Sequence, residues 1–283
     1  MKTDLILIHI GTIFPEYFKD CIKQCLKYDY DIHVVINKDL KFNLDSIANI
    51  NLVSVEDYIN QEYEDYISKK SNKAFRDGFW QSTSSRFFVL KNYTQQNNLK
   101  NFIHIEYDNL LFSSLKHELN ILQQSIYDMC IVMDSSERCI PSICWFRDFN
   151  IINSLTNFMS KKFNLNDMES LGLFYYKNDK VTNFPIVPCN YKLNSVKPKY
   201  DNFYSEFTTI FDGAAIGQYL GGVDPRNISG NTDNFINETA VMNPSRFKYS
   251  WINNELFGEY KGETFKINNM HVHSKNLKRF MQK

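Results

Sequence analysis

Residues 102–112 read Phe102-Ile103-His104-Ile105-Glu106-Tyr107-Asp108-Asn109-Leu110-Leu111-Phe112. The apolar start of this run predicts a buried strand, and the strand ends in two acids one residue apart. Because side chains alternate along a strand, Glu106 and Asp108 are expected on the same face. Neighbouring carboxylates repel unless a cation or a proton lies between them. Mg²⁺ and Mn²⁺ prefer oxygen ligands and often share them with phosphates. The run therefore predicts a metal–diphosphate site, although such acid pairs are also common on surfaces.

The first half of the chain alternates between strand-like and helix-like segments. Strands are expected at residues 5–10, 32–36, 51–55 and 129–133, and helices at 17–27, at 115–125 and from Ser82 or Ser84 to about residue 97. This order predicts an α/β fold with a mostly parallel, Rossmann-like sheet and helices on both faces. Ligands of such sheets bind beyond the carboxyl ends of the strands. Glu106 and Asp108 fall at one such end, and Gly11 and Thr12 fall at another.

The second half is less regular. Residues 144–158 are predicted to form an aromatic-rich helix, and residues 211–220 a short helix entered through Asp212. The segment 270–273 is strand-like, and a basic helix is expected from Ser274. No internal repeat or linker is evident, so the 283 residues are interpreted as one domain.

Composition excludes several classes of protein. The chain is 43% hydrophobic with a net charge of zero, whereas an extended nucleic-acid surface needs a basic excess. No segment reaches the roughly 20 apolar residues of a membrane span. The apolar run at 5–10 is interpreted as a first strand and not as a signal peptide. The six cysteines form no Cys-x-x-Cys pair, which is typical of reduced thiols. These features predict a cytoplasmic protein without a transmembrane segment.

A second group of polar residues lies near the end of the sequence, which reads His271-Val272-His273-Ser274-Lys275. Strand alternation would put both histidines on one face. One imidazole among carboxylates can complete the ligand shell of a divalent metal. Lys275 adds positive charge where a diphosphate could bind. The alternative is an exposed strand face that carries two polar side chains.

Three further charged residues have both a functional and a structural interpretation. Arg86 is expected in the first turn of a helix, where the helix dipole disfavours it, so a phosphate or a structural carboxylate should offset the cost. Asp212 suits a helix N-cap, but it could also bind sugar hydroxyls or accept a proton. Glu238 is the second candidate carboxylate, and a plain surface acid is the alternative.

In this order, the motifs resemble those of metal-dependent glycosyltransferases of the GT-A fold. The run Ile105-Glu106-Tyr107-Asp108-Asn109 resembles their Asp-x-Asp-type motif, with glutamate in place of the first aspartate. The segment 271–275 resembles the late metal-binding segment, and Ser84-Ser85-Arg86-Phe87 resembles the arginine-bearing helix before the motif. Asp212 is similar to the acid that contacts the donor sugar or serves as base. The resemblance is one of motif order over nearly the whole chain.

The resemblance implies a single glycosyltransferase domain, with residues 1–135 as the nucleotide-sugar half and residues 136–283 as the acceptor half. The donor would be a UDP- or GDP-linked sugar, and the acceptor a glycan, a protein or a lipid-linked molecule. The implied nucleotide-binding residues are Ile10, Gly11, Thr12 and Arg86, with Lys275 on the diphosphate. Mn²⁺ or Mg²⁺ would be held by Asp108 and a late histidine, His273 in preference to His271, with Glu106 in a weaker, ribose or water-mediated role. Asp212, and after it Glu238, would be the catalytic carboxylates. The acceptor site would be shaped by Trp145, Tyr219 and Trp251.

Two other functions fit parts of the pattern. A sugar nucleotidyltransferase shares the α/β plan and the acidic metal site, but it usually carries a phosphate loop rich in glycine and lysine. Residues 11–15, which follow the first strand, are poor in both. An inactive nucleotide- or sugar-binding module would bind ligand without metal-dependent cleavage of a donor.

Overall fold

The computed structural model describes residues 2–70, 78–191, 198–224 and 241–281. Within these ranges the strands are β1 (Thr3–His9), β2 (Tyr30–Ile36), β3 (Ile50–Ser54), β4 (Phe102–Ile105), β5 (Asn109–Leu111), β6 (Met129–Ile131), β7 (Ile143–Phe146), β8 (Val181–Asn183), β9 (Thr209–Ile210), β10 (Lys248–Ile252), β11 (Glu255–Tyr260), β12 (Glu263–Ile267) and β13 (Asn269–His271). The α-helices are α1 (Tyr17–Cys25), α2 (Gln61–Lys69), α3 (Phe79–Gln96), α4 (Lys116–Gln124), α5 (Phe149–Ser160), α6 (Asp167–Lys177), α7 (Tyr204–Phe207) and α8 (Ala215–Gly221). Short 3₁₀ helices span Lys38–Leu44, Val55–Tyr58, Pro244–Arg246 and Leu277–Arg279.

The largest sheet in the described ranges has seven strands in the order β3-β2-β1-β4-β7-β6-β8. Strands β3, β2, β1 and β4 run parallel to their neighbours, as do β6 and β8. Strand β7 runs antiparallel to both β4 and β6. Every side chain of β4 is buried, so both faces of this strand are covered. The predicted α/β fold with a largely parallel central sheet is confirmed.

The parallel strands bring the loops that carry the candidate site residues to one edge of the sheet. Leu7 of β1 pairs with Ile105 of β4, and His9 of β1 pairs with Ile36 of β2. The loops that follow β1, β2 and β4 therefore leave the sheet on the same side. This is the edge at which a ligand of an α/β sheet binds.

The prediction of a helix at residues 144–158 is wrong in its first part. Residues Ile143–Phe146 form β7 in the middle of the sheet, and the helix α5 begins only at Phe149, where Asp148 accepts a hydrogen bond from the backbone N–H of Asn150. Every side chain of β7 is buried. An apolar run buried on both faces shows no alternation, so hydrophobic periodicity cannot distinguish it from a buried helix.

The predicted start of the third helix is also wrong. Helix α3 begins at Phe79, preceded by Gly78 in the left-handed region with φ of 88°. Ser82 and Ser84 therefore lie inside the helix and do not cap it. Arg86 lies well beyond the first turn, so the helix dipole gives no reason for a phosphate at its guanidinium.

Two smaller sheets complete the described strands. One has the order β10-β11-β12-β9, and the other pairs β13 with β5 in antiparallel register, His271 opposite Asn109. The second pairing joins the late histidine segment to the chain that follows the two acids. None of the helices in the described ranges combines the length and the apolar character that a membrane span requires.

Candidate metal and diphosphate site

The two acids lie in the turn that joins β4 to β5. Strand β4 ends at Ile105, and the backbone N–H of Asn109 donates to the carbonyl of Glu106 at 3.1 Å, which closes the turn. The expected strand alternation at Glu106 and Asp108 is therefore wrong, because the strand stops before them. The turn nevertheless brings both carboxylates to the carboxyl edge of the sheet, as the sequence predicts.

His271 completes this acidic group. Its Nε2 lies 3.1 Å from Oδ2 of Asp108 and 3.8 Å from Oε2 of Glu106. One ligand-type atom from each of the three residues lies within 4.8 Å of the others. Nδ1 of His271 is buried, and within the described ranges it has no hydrogen-bond partner. Two carboxylates and one imidazole form an oxygen-rich set that fits Mn²⁺ or Mg²⁺.

His273, the preferred metal ligand from the sequence, does not belong to this group. Strand β13 ends at His271, so the alternation that would put both rings on one face is lost. The two ring centroids lie 6.4 Å apart, and Nδ1 of His273 accepts the backbone N–H of Asp224 at 2.8 Å. Burial lowers the pKa of His273 to about 4, so its ring is neutral at pH 7. The geometry favours His271 as the metal ligand.

Among the described residues, Lys275 is the cation closest in space to Asp108, although it lies far from it in the sequence. Its Nζ donates to Oδ2 of Asp108, the oxygen that also faces His271. The backbone of Lys275 lies in the left-handed region with φ of 65°, an unfavourable conformation for a residue with a side chain. Burial alone would raise the pKa of Asp108, but His271 and Lys275 hold that pKa well below its usual range. Burial would likewise lower the pKa of His271, yet the carboxylate of Asp108 raises it.

Arg86 is paired with carboxylates and not open to a nucleotide. Its Nη1 lies 2.7 Å from Oε1 of Glu106, and its Nη2 donates to Oδ2 of Asp167 at 3.1 Å. The guanidinium is buried between them. This geometry does not fit the implied role of Arg86 in nucleotide binding. It fits the alternative, in which Arg86 pairs with structural carboxylates. Sequence reasoning did not single out Asp167, because an acid in the first turn of a capped helix looks ordinary.

Asp212 connects helix α8 to strand β13. Its Oδ1 accepts the N–H of Ile216 at 2.9 Å, and its Oδ2 accepts the N–H groups of Gly217 at 2.8 Å and His271 at 3.0 Å. The residue is 1% exposed. Burial raises the pKa of its carboxyl group, although the backbone N–H donors oppose that shift. The N-cap position of α8 is Ala214 and not Asp212 as predicted, but Asp212 still binds N–H groups of the first helical turn and fixes the backbone of His271.

The end of the first strand lies at the same edge as the acids. Ile10, Gly11 and Thr12 directly follow β1, and the backbone N–H of Gly11 donates to Oδ1 of Asn37, the residue after β2. Thr12 is exposed. The loop thus lies at the same edge of the sheet as the two acids, and its contacts with a nucleotide stay a prediction.

Two residues near these loops were missed by the sequence interpretation. Tyr107, between the acids, lies with its hydroxyl 3.0 Å from Nδ1 of His9. The Nε2 of His9 lies 3.1 Å from the carbonyl of Ile13 in the loop after β1. His9 and Tyr107 therefore join the first-strand loop to the acidic turn. No sequence signal distinguishes them from core aromatic residues.

The remaining predicted residues are dispersed. Trp145 is buried in β7 and belongs to the core, so its predicted place in an acceptor site is wrong. Tyr219 and Trp251 are 42% and 45% exposed. A small pocket beside the site is lined by Asp212 and by Asp134, which sequence reasoning also missed. Glu238 lies outside the described residues.

Comparisons with known proteins give similar folds at low sequence identity. No protein-family model and no curated protein matches the sequence. The PaToxG glycosyltransferase is 15% identical with a TM-score of 0.42, covering 61% of this chain and 69% of its own. The apo form of mouse xyloside xylosyltransferase 1 is 9% identical with a TM-score of 0.45, covering 73% of this chain and 93% of its own. The inositol-1-phosphate CTP transferase of T. maritima is 10% identical with a TM-score of 0.39, covering 65% and 85%.

A second group of ligand-type residues lies at the opposite edge of the sheet. Asp4, Asp31 and His33 also offer one atom each within 4.8 Å of the others. They belong to the first halves of the parallel strands β1 and β2, away from the carboxyl ends. Both ring nitrogens of His33 have partners, Asp4 at 2.9 Å and the hydroxyl of Tyr93 at 2.6 Å. This group therefore serves as a chemical control for the site at the carboxyl edge.

Proposed function

We propose that this chain is a metal-dependent glycosyltransferase that takes a sugar from a nucleotide-diphosphate donor. The observation that carries the proposal is the group of Glu106, Asp108 and His271 at the carboxyl edge of the sheet. Beside it stand a lysine and the loop after the first strand. An acidic metal site with a nearby cation suits a diphosphate, whose negative charge grows as the nucleotide leaves.

Each residue of the group has a separate task in this proposal. Asp108 and His271 would hold Mn²⁺ or Mg²⁺ directly, and Glu106 would hold it directly or through water. When bound there, the metal would supply Lewis-acid stabilisation of the leaving diphosphate. Lys275 would donate hydrogen bonds to the same phosphates. Arg86 would keep Glu106 oriented, and Asp212 would position His271 through its backbone N–H.

The donor and acceptor surfaces are proposed on either side of this group. Ile10, Gly11 and Thr12 would contact the nucleotide of a UDP- or GDP-linked sugar. The exposed rings of Tyr219 and Trp251 would stack on an acceptor glycan or on the glycan of a lipid-linked or protein acceptor. Glu238 stays a candidate for the acid that receives the acceptor proton, since Asp212 already accepts three backbone N–H groups.

The first test is thermal unfolding with UDP, GDP, CDP and ADP and with the corresponding nucleoside triphosphates, each with and without Mn²⁺. A ligand at a hundred times its Kd stabilises the native state by about 2.7 kcal/mol, which for a chain of this size raises Tm by several degrees. We expect one nucleoside diphosphate to raise Tm only when Mn²⁺ is present. Stabilisation by a nucleoside triphosphate and none by any diphosphate would instead support a nucleotidyltransferase.

The second test measures release of the nucleotide from the donor that this panel identifies. Asp108→Asn should reduce turnover at least a hundredfold, because it removes a charged metal ligand without changing side-chain shape. Asp31→Asn, in the chemically similar group at the opposite edge, is the matched control and should retain turnover. Wild-type turnover in Asp108→Asn would refute the metal assignment. Ligand binding without any cleavage would support the inactive binding module.

A further inference from the structure

The metal group already has a cation in contact with it, and that cation is part of the chain. Nζ of Lys275 and Nε2 of His271 both approach Oδ2 of Asp108. This oxygen is also the one that Asp108 turns toward the imidazole in the candidate metal group. A divalent cation held by Asp108 and His271 must therefore compete with the ammonium group for the same oxygen.

The two basic residues around the acids differ in how firmly they are held. Arg86 is divided between Glu106 and Asp167, with 9% of its side chain exposed. Lys275 has 19% of its side chain exposed, and among the described residues it makes an ion pair with Asp108 alone. It lies beyond the end of β13, in a loop, on a long stem with freely rotating bonds. The ammonium group of Lys275 can therefore move away from Asp108 more easily than the guanidinium of Arg86 can move away from Glu106.

An empty acidic site would be unfavourable without such a partner. Asp108 is 8% exposed, and a buried carboxylate needs a compensating charge or hydrogen bonds. The ammonium group of Lys275 meets this need in the ligand-free chain. It loses that role as soon as a divalent cation takes the same oxygen, and it then needs an anion of its own.

We propose that Lys275 is the resident counter-ion of this site. Its ammonium group neutralises Asp108 in the ligand-free chain, gives way to a divalent cation, and is then captured by the diphosphate of the donor. The inference deepens the proposed function and rests on it. One consequence is that metal and diphosphate bind cooperatively. The metal frees the ammonium group of Lys275 to bind the diphosphate, and the diphosphate gives that ammonium group an anion after the metal has displaced it. Such coupling is reciprocal by thermodynamic necessity.

The test compares Mn²⁺ affinity in wild type, Lys275→Met and Lys275→Gln, measured by the loss of the free-ion EPR signal without nucleotide. Removing the competing ammonium group should tighten Mn²⁺ binding about tenfold, which is about 1.4 kcal/mol. Lys278→Met removes an exposed lysine from the same segment and should leave Mn²⁺ affinity unchanged. Unchanged or weaker Mn²⁺ binding in both Lys275 variants would overturn the proposal.

The coupling is measured by repeating the titration with saturating UDP or, if the thermal panel selects it, GDP. The nucleotide should tighten Mn²⁺ binding strongly in wild type and about tenfold less in Lys275→Met, which has no ammonium group to transfer. Equal coupling in the two proteins would also overturn the proposal. If neither protein binds Mn²⁺ at all, the metal site and the proposed function fail together. If both bind it with equal affinity, only the role of Lys275 fails.

Discussion

Glu106 forms an ion pair with Arg86, and the same arginine also forms an ion pair with Asp167. Both carboxylates lie within hydrogen-bonding distance of the same buried guanidinium, at 2.7 Å and 3.1 Å. Because Asp167 shares the positive charge of Arg86, Glu106 would keep part of its own negative charge for the metal of the proposed site. Burial raises the pKa of Asp167, although Arg86 opposes that shift. In the proposed site, Asp167 would therefore act on Glu106 through Arg86.

At this scale we predict that Asp167→Asn weakens Mn²⁺ binding by roughly tenfold, about 1.4 kcal/mol. The neutral amide leaves the full charge of Arg86 on Glu106, which then attracts a metal less strongly. A metal titration checks this, alongside urea unfolding to confirm that the variant is folded. Asp179→Asn, in an exposed turn, is the control. Mn²⁺ affinity equal to wild type in folded Asp167→Asn would contradict the proposed relay.

The sequence pointed to some of these residues and not to others. Glu106 and Asp108 stand out because acids rarely follow a buried strand without a purpose. His271 was among the candidates, but His273 could not be rejected until the end of β13 was known. Asp167 gave no signal, since its importance depends on a contact with Arg86 across 81 residues. Local patterns reveal residue types, while their partners are fixed by tertiary packing.

At the scale of secondary-structure elements, helix α8 packs directly against strand β13, which carries His271. A Cβ atom built on Gly217 would lie 1.8 Å from the carbonyl oxygen of His271. Real atoms cannot approach so closely, so only glycine allows this contact. The same close approach lets the N–H of Gly217 reach Asp212, which in turn binds the N–H of His271.

We therefore predict that Gly217→Ala lowers the free energy of unfolding by about 1–3 kcal/mol. In an open helix this substitution would stabilise by up to ~1 kcal/mol, so the sign of the change is the test. It should also weaken Mn²⁺ binding, because the backbone of His271 must move. Gly221→Ala is the control, since its Cβ would meet only side-chain atoms of Phe280 and Ser274, at 3.1 Å or more. Urea unfolding that shows Gly217→Ala to be as stable as wild type would contradict the close packing.

The elements themselves were predictable to differing degrees. Alternating strands and helices in the first half have clear periodicity, and the parallel sheet followed from their order. Strand β7 did not follow, because its four residues are buried on both faces and read like the start of a helix. The pairing of β13 with β5 could not be predicted from the sequence either, since no local pattern indicates that residue 269 pairs with residue 111.

At the scale of the whole molecule, buried histidines make stability depend on pH. Burial lowers the pKa of His9 and His273 to about 4, and that of His104 to about 3. An unfolded histidine takes its proton near pH 6.5. Between pH 6.5 and 4 the unfolded state therefore binds more protons than the folded state, so stability must fall as the pH falls. His271 opposes this trend, because its pKa is raised.

We predict that the free energy of unfolding falls by a few kcal/mol between pH 6.5 and pH 4, since each unit of pKa shift contributes about 1.4 kcal/mol. His104→Gln should reduce this slope, because glutamine can still donate to the carbonyl of Ile6 but takes up no proton. Urea unfolding at half-unit pH steps measures both slopes. The comparison concerns the slopes alone, since the substitution also changes packing. Identical slopes would show that folding does not lower the pKa of His104.

On the ribosome, Glu106 and Asp108 emerge long before the residues that neutralise them. Asp108 and Lys275 are separated by 167 positions in the chain. Because synthesis adds ~5–20 residues per second, Lys275 follows the two acids after roughly ten to thirty seconds. During that interval His271, the third member of the candidate metal group, is missing as well, because it lies only four positions before Lys275. The proposed ligand group and its competing lysine therefore become available to a growing chain almost together, so a nascent chain would offer a divalent cation no route around Lys275.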